Sequence, residues 1–335
     1  MLRKLWLPLL LLMSLSARAQ ETRHFTFHYG FTVKNLPAGE RVRLWIPAAH
    51  SDEFQEVKVL SAGGDLGLKR THESRFSNEM YYAEASSAKQ TELHFEVAYD
   101  VVRHERLTFG IARPRLADVQ LKDRDRKEYL QPDRLVPVTG LPAELAVKVT
   151  EGKNTPLDKA RAIYDYVFTT MRYDKTGTGW GHGDVLYACD AKKGNCTDFH
   201  SLFIAMARSQ DIPARFEIGF PLPPAKHSAE IAGYHCWAEF FEPKNGWVPM
   251  DISEAWKHQE KRDYFFGAHD VNRVQFSMGR DLRLSPTQDG APLNYFVYPY
   301  VEVSGKEYPN VSLAFSFADV DAGAAAAKQV ASSGP

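Results

Sequence analysis

The chain has 335 residues, with 41 Lys plus Arg against 42 Asp plus Glu, a formal net charge of −1. That balance gives no electrostatic case for nucleic acid or an anionic membrane as partner. Its 20 Phe, 15 Tyr and 6 Trp suit a packed globular protein, and only three cysteines exclude a disulfide scaffold while leaving at least one thiol unpaired or paired elsewhere.

The first nineteen residues read as a cleavable leader. Arg3 and Lys4 precede an apolar run from Leu5 to Leu15, and Ala17-Arg18-Ala19 closes it as a small-x-small cleavage signal before Gln20. The run is too short to anchor the chain in a bilayer, so the reading is a secreted, bacterial periplasmic protein. From residue 20 the pattern alternates. Phe25, Phe27, Tyr29, Phe31 and Val33 form one such set, Val42, Leu44 and Ile46 a second, and Leu93, Phe95, Val97, Tyr99 and Val101 a third. Period-two alternation without an intervening helix predicts an antiparallel β-sandwich. The charged stretch KDRDRKEYLQPDR, 122 to 134, reads as a surface connection.

A helix is then expected from Thr155. Thr155 suits the N-cap, Pro156 the first helical position and Asp158 the capping-box partner, with Leu157, Ala160, Ile163, Tyr164, Val167 and Met171 on one apolar face. A second helix opens within KKGNCTDFHSLF and runs to about Ser209, followed by strands in DIPARFEIGF, GYHCWAEFF and GWVPMDIS, the last two joined by a turn at Asn245-Gly246. Past Gly267 the pattern weakens, and VNRVQFSMGRDLRLSP and Tyr295 to Tyr300 read as loops over the core. Val311, Leu313, Phe315 and Phe317 predict a last strand, and the alanine-rich tail reads as disordered. The domains expected are a leader at 1–19, the sandwich at 20–120, a catalytic α+β domain at 121–290, C-terminal strands packing on the core at 291–318 and a disordered tail at 319–335.

The chemistry centres on Cys196. A thiol attacks as the thiolate, and a helix start lowers its pKa through free N–H groups and the helix dipole. Asn195 is the candidate N-cap, which puts Cys196 in the first turn, with Gly194 permitting a sharp entry. A cysteine there also has a bland reading, as a small buried hydrophobe, unless a base stands beside it. His235 is the candidate base. Strand alternation puts it on one face with Trp237, Glu239 and Phe241. The next strand runs back antiparallel and returns Asp251 to the level of His235, where a carboxylate would orient the imidazole.

A cysteine at a helix start, a histidine on a strand and an aspartate on the next strand, in that order and with GNCTDFHSLFIAMARSQDIPARFEIGF, GYHCWAEFF and GWVPMDIS in place, resembles the transglutaminase-like superfamily of papain-type enzymes over about residues 150 to 260. The resemblance implies Cys196 as nucleophile, His235 as general base and acid, and Asp251 as its orienter. It implies a thioester acyl-enzyme on a protein or peptide amide, with hydrolysis by a protease, amidase or deamidase favoured over Gln–Lys cross-linking. Members of this superfamily that use a side chain to bind the oxyanion take it from upstream of the cysteine, which makes Trp180 the first candidate and Tyr173 the second, with the Cys196 backbone N–H as a further donor. Calcium serves many animal cross-linking relatives. No D-x-D-x-D-G loop stands here, so no cofactor is expected.

Cys189 and Cys236 are candidates for a disulfide, which an oxidising compartment would allow. A zinc site from Cys189, Cys196, His235 and Cys236 is disfavoured, because Cys189 and Cys196 lie seven apart and His235 and Cys236 point to opposite strand faces. The alternative from another class is a non-catalytic periplasmic binding or scaffold protein with a retired domain of this type. Redox exchange would want a Cys-x-x-Cys, which is absent.

Overall fold

The computed structural model describes residues 20–109 and 118–320. The expected leader and the alanine-rich tail from residue 321 lie outside them. Six α-helices and three antiparallel sheets of four or five strands make up most of the described chain. No described helix is long and apolar enough to cross a membrane.

The alternating stretches become strands for the reason their period suggests. Along Thr22–Val33 the residues Phe25, Phe27, Tyr29, Phe31 and Val33 are buried while those between them are partly exposed. This strand sits centrally in a five-stranded sheet ordered Ser228–Glu230, Val311–Asp319, Thr22–Val33, Leu93–His104, Gln55–Gly64. A second five-stranded sheet is ordered Lys306–Glu307, Tyr300–Val303, Val42–Pro47, Glu79–Ala85, Lys69–His72. Both sheets therefore combine strands from the two ends of the chain. Val311–Asp319 pairs with the first strand in an unbroken antiparallel register from Phe25↔Asp319 to Val33↔Val311. Tyr300–Val303 pairs with Val42–Pro47, giving a strand where the sequence suggested loop leading into Tyr300. Asp319, expected at the start of a disordered tail, is the last residue of its strand and accepts a hydrogen bond from Arg23 Nε at 2.9 Å.

The site is carried by the third sheet, ordered Gly246–Met250, His235–Glu242, Ala214–Pro221, Arg273–Met278. One face, with Cys236, Ala238, Phe240, Ala214, Phe216 and Ile218, belongs to the main core with the helix Cys196–Ser209. Phe220 and Phe276 pack against Phe27 and Tyr29 of the first sheet, with ring centroids 5.2 to 6.0 Å apart. The aromatic interdigitation fixes the site sheet on the strands from the chain's N-terminal part.

Two stretches differ from the sequence expectation. Asp123–Glu128 is a short helix inside the charged connection. Arg273–Met278 is a strand, buried along almost its whole length, where a loop was expected. Its polar residues Arg273, Gln275 and Ser277 are buried by partners rather than exposed, so they broke the apolar pattern without breaking the strand. A bulge lies between Ile218 and Gly219 where this strand pairs with Ala214–Pro221. A Cβ on Gly219 would land within the Val274 carbonyl and near the Gln275 Cα. Gly219→Val is accordingly expected to cost at least about 1–3 kcal/mol in urea unfolding, the range for overpacking, and an unchanged midpoint would contradict this close approach.

Candidate active site

Cys196 is the first residue of a fourteen-residue helix, Cys196–Ser209. Asn195 caps it: its side chain accepts the Thr197 N–H at 2.8 Å, and Asp198 Oδ2 accepts the Asn195 N–H at 2.9 Å, a complete capping box. As the first helical residue, Cys196 has a backbone N–H with no intrahelical acceptor. Asp198 also accepts the N–H groups of Gly181 at 2.7 Å and Gly183 at 3.0 Å, which ties the glycine-rich loop to the cysteine's helix. Arg280 completes this tie, donating to the His182 and Gly183 carbonyls at 2.7 and 3.0 Å and to Ser201 Oγ on the helix. Gly194 has φ +154°, and a Cβ there would run into the Asp198 carboxylate, so the cap needs glycine at this entry.

His235 opens its strand and Asp251 follows the next one, as the antiparallel pairing Ala238↔Met250 requires. The His235 Nε2 to Asp251 Oδ2 distance is 2.7 Å. That leaves Nδ1 for the sulfur, and the Cys196 thiol and the His235 side chain interact strongly enough to shift each other's proton affinity. Both residues are almost wholly buried and Asp251 is fully so. Asp251 is itself held: Oδ1 accepts from Ser253 Oγ and the Glu254 N–H, each at 3.0 Å, and Oδ2 accepts from Arg273 Nη1 at 3.1 Å.

The electrostatics follow from this contact order. Burial by itself pushes the Cys196 thiol up, but hydrogen bonds to Cys236 and His235 and the charge of His235 outweigh it, so the thiol is held well below its ordinary value. Burial would depress His235, yet the Asp251 carboxylate and the Cys196 sulfur carry it up to about 10. Burial would raise Asp251, and His235 and Arg273 hold it well below the carboxylate range. Each group of the row is charged because its neighbours are.

The structure also brings in residues that the sequence did not single out. His200 had no arguable partner from sequence. Its Nε2 accepts the Ile252 N–H at 3.1 Å, so the ring proton sits on Nδ1, where Cys236 Sγ lies at 3.7 Å. Burial holds His200 down to about 4, so it is neutral and bridges the cysteine's helix to the turn after Asp251. Its spacing of four from Cys196, one helical turn, was the available signal. Arg273 was hidden in a stretch read as loop. Tyr234 Oη accepts from Asn195 Nδ2 at 3.0 Å and shares a hydrogen bond with Thr197 Oγ1 at 2.9 Å, locking the strand to the cap.

Cys189, Cys196 and Cys236 are all free thiols, which corrects the candidate Cys189–Cys236 disulfide. Cys236 faces the first turn of the helix instead, 3.7 Å from Thr197 Oγ1, and burial together with the neighbouring Cys196 sulfur keeps it protonated. Trp180 lines the cavity over Cys196, but its indole N–H donates to the Gly177 carbonyl at 3.1 Å, so the loop has already taken that donor. Tyr173 lines the same cavity, and burial first, then the Cys196 charge, raise its phenol. Elsewhere Glu217, Glu239 and His269 bring ligand atoms within 4.8 Å of one another. Arginines already occupy that place: Arg106 and Arg215 pair with Glu239, and Trp237 Nε1 donates to Glu217 at 2.7 Å, so the donor set does not fit a metal.

Two cavities meet at the Cys196–His235 pair. The one on the cysteine side is about 320 Å³ and is lined by Trp180, Tyr234, Tyr295 and Tyr298 as well as Cys196. The one on the histidine side is about 560 Å³ and includes His235, Lys257, Lys261 and Arg273. Tyr173, Lys175, Ala232, Gly233 and Tyr234 border both.

Residues 143–252, which carry all three of these side chains, match the model of the Transglutaminase-like superfamily. The chain carries a transglutaminase-like domain. An uncharacterized protein of Haemophilus influenzae is 29% identical over 319 residues, covering 84% of this chain and 85% of its own. The uncharacterized protein YebA of Bacillus subtilis is 27% identical over 150 residues, 39% of this chain and 20% of its own. Among solved structures, that of a candidate cysteine protease from Cytophaga hutchinsonii aligns with TM-score 0.57 and 19% identity over 90% of this chain and 92% of that one. The fold is thus shared well beyond the transglutaminase-like domain, including the strands that precede and follow it.

The coupled groups of this domain define a pH window. The thiolate–imidazolium form is expected above the depressed Cys196 value and below the raised His235 value near 10. Iodoacetamide labelling of Cys196 should therefore stay fast below neutral pH in the wild type. In His235→Ala it should become slow there, rising only towards ordinary thiol pH. Peptide mapping of the labelled site against pH checks this, and superimposable profiles would contradict the pair.

Proposed function

We propose that this protein is an exported cysteine-dependent amide hydrolase acting on protein or peptide substrates. Cys196 is its nucleophile, His235 its acid and base, and Asp251 the residue orienting His235. The observation that carries this reading is the buried row itself: a depressed thiol at a helix start touching an imidazole whose other nitrogen lies 2.7 Å from a carboxylate.

In the first half-reaction the Cys196 thiolate attacks the amide carbonyl carbon and the C–S bond forms. The oxyanion meets the free Cys196 N–H at the helix start, a donor aimed along the helix dipole. As the C–N bond breaks, imidazolium His235 gives its proton to the leaving amine. A water then attacks the thioester, losing its proton to His235. The C–S bond breaks and a carboxylic acid departs, restoring the thiolate and imidazolium. Asp251 stays ionised throughout, because Arg273 and His235 both face it.

Hydrolysis fits better than cross-linking. The Cytophaga protein that shares this fold is described as a candidate cysteine protease. The leader-like first nineteen residues support export, and the paired donor set at Glu217 and Glu239 gives no reason to require a metal.

Cleavage of an unfolded protein such as reduced casein tests the proposal. New amino termini are expected from the wild type, with the rate falling at least about 10³-fold in Cys196→Ala, as for other nucleophile deletions. Retention of cleavage in that variant would overturn the assignment of Cys196. Formation of isopeptide-linked multimers without new termini would overturn hydrolysis.

A further inference from the structure

Resting on the acyl-transfer reading above, we infer that the leaving half of the substrate carries a carboxylate, and that Lys175 and Lys261 select it. The division of the cleft assigns its two sides. Cys196 lines only the smaller cavity and His235 only the larger one. The acyl group must remain on the sulfur, so it occupies the smaller cavity, whose wall is largely aromatic. The amine must take its proton from His235, so it leaves through the larger cavity, and the second nucleophile arrives by the same way.

The larger cavity has an uneven charge inventory. Lys257 is held by Glu254 at 2.6 Å, and Arg273 by Asp270 at 3.2 Å and by Asp251. Apart from His235, which is paired with Asp251, and His258, which lies 3.9 Å from Glu254, the remaining charged residues lining this cavity are Lys175 and Lys261 against Glu230. Neither lysine has a carboxylate partner among the described residues. Lys175 stands on the border of both cavities, with its ammonium 5.8 Å from the Tyr173 ring and 6.0 Å from that of Trp180. Two uncommitted ammonium groups against one carboxylate attract an anionic leaving group and repel a lysine acceptor. The same asymmetry that favours an acidic substrate therefore disfavours cross-linking.

A carboxylate after the scissile bond has two sources, an Asp or Glu side chain or the free α-carboxylate of a terminal residue. Four peptides with a common Ac-Phe-Ala acyl half and the leaving groups Asp-NH2, Ala-OH, Ala-NH2 and Lys-NH2 distinguish them. The expected result is kcat/KM about tenfold higher for an anionic leaving group than for Ala-NH2, with Lys-NH2 slowest. A gain confined to Asp-NH2 identifies a side-chain carboxylate, and one confined to Ala-OH a terminal one. The preference should shrink in high salt and invert between Asp-NH2 and Lys-NH2 when Lys175→Glu is combined with Lys261→Glu. Equal rates for all four peptides would overturn the inference and leave the hydrolase reading standing.

The labelling of Cys196 separates the two claims even without turnover. The ratio of iodoacetate to iodoacetamide rates should fall about tenfold in the double variant. An unchanged ratio would overturn the charge selection, whereas loss of fast, His235-dependent labelling in the wild type would overturn the reading beneath it.

Discussion

Everything in the site depends on a row of four buried groups whose charges alternate: the Cys196 sulfur, the His235 imidazolium, the Asp251 carboxylate and the Arg273 guanidinium. Each would be too costly to bury alone, and burial opposes the charged form of every one of them. In contact they reverse that cost, because each is next to a group of opposite sign in a region of low dielectric. The row runs from a helix through two strands to a third, so it can exist only when those elements are packed in register. Fold and reactivity are the same constraint at this point.

The surrounding structure keeps the row from slipping. A capping box places the sulfur, with Asp198 serving both the helix start and the glycine-rich loop. His200, neutral because it is buried, measures the distance from the cysteine's helix to the turn after Asp251. Two residues along the strand from His235 and on the same face, Trp237 lies beneath the Arg273 guanidinium at 4.8 Å and donates to Glu217, which links the row to the arginine-rich back of the sheet. That back face rests on strands from the other part of the chain: Gln55 donates to the Gln275 carbonyl at 3.0 Å and accepts the Gln275 N–H at 2.9 Å. The sheets formed by both ends of the chain thus hold the strand that supplies Arg273, which gives them a mechanical part in the site.

Much of this was legible before any coordinates. The first strand, the Thr155-capped helix and the hairpin of His235 and Asp251 obey local rules: alternation, a cap followed by proline, and a turn at Asn245-Gly246. Cys196, His235 and Asp251 could be picked out because helix start, strand parity and hairpin return are all short-range features. What escaped was long-range or polar. Arg273–Met278 looked like a loop because Arg273 is buried against Asp251 and Trp237, and Gln275 against Gln55, all more than twenty residues away, and no periodicity reports that. The pairing of Val311–Asp319 with Thr22–Val33 closes nearly three hundred residues of chain, and neither strand announces its partner. Cys236 looked available to Cys189 because spacing alone cannot say that it faces the helix of Cys196.

The central claim is that Cys196 rests as a thiolate beside imidazolium His235. Thiolate absorbance in the far ultraviolet, titrated against pH as the difference between the wild type and Cys196→Ser, measures it without substrate or label. The predicted difference is one thiolate already present at neutral pH and lost only well on the acid side. A difference that appears only around the ordinary thiol range, near 8.5, would contradict the pair and with it the enzymatic account.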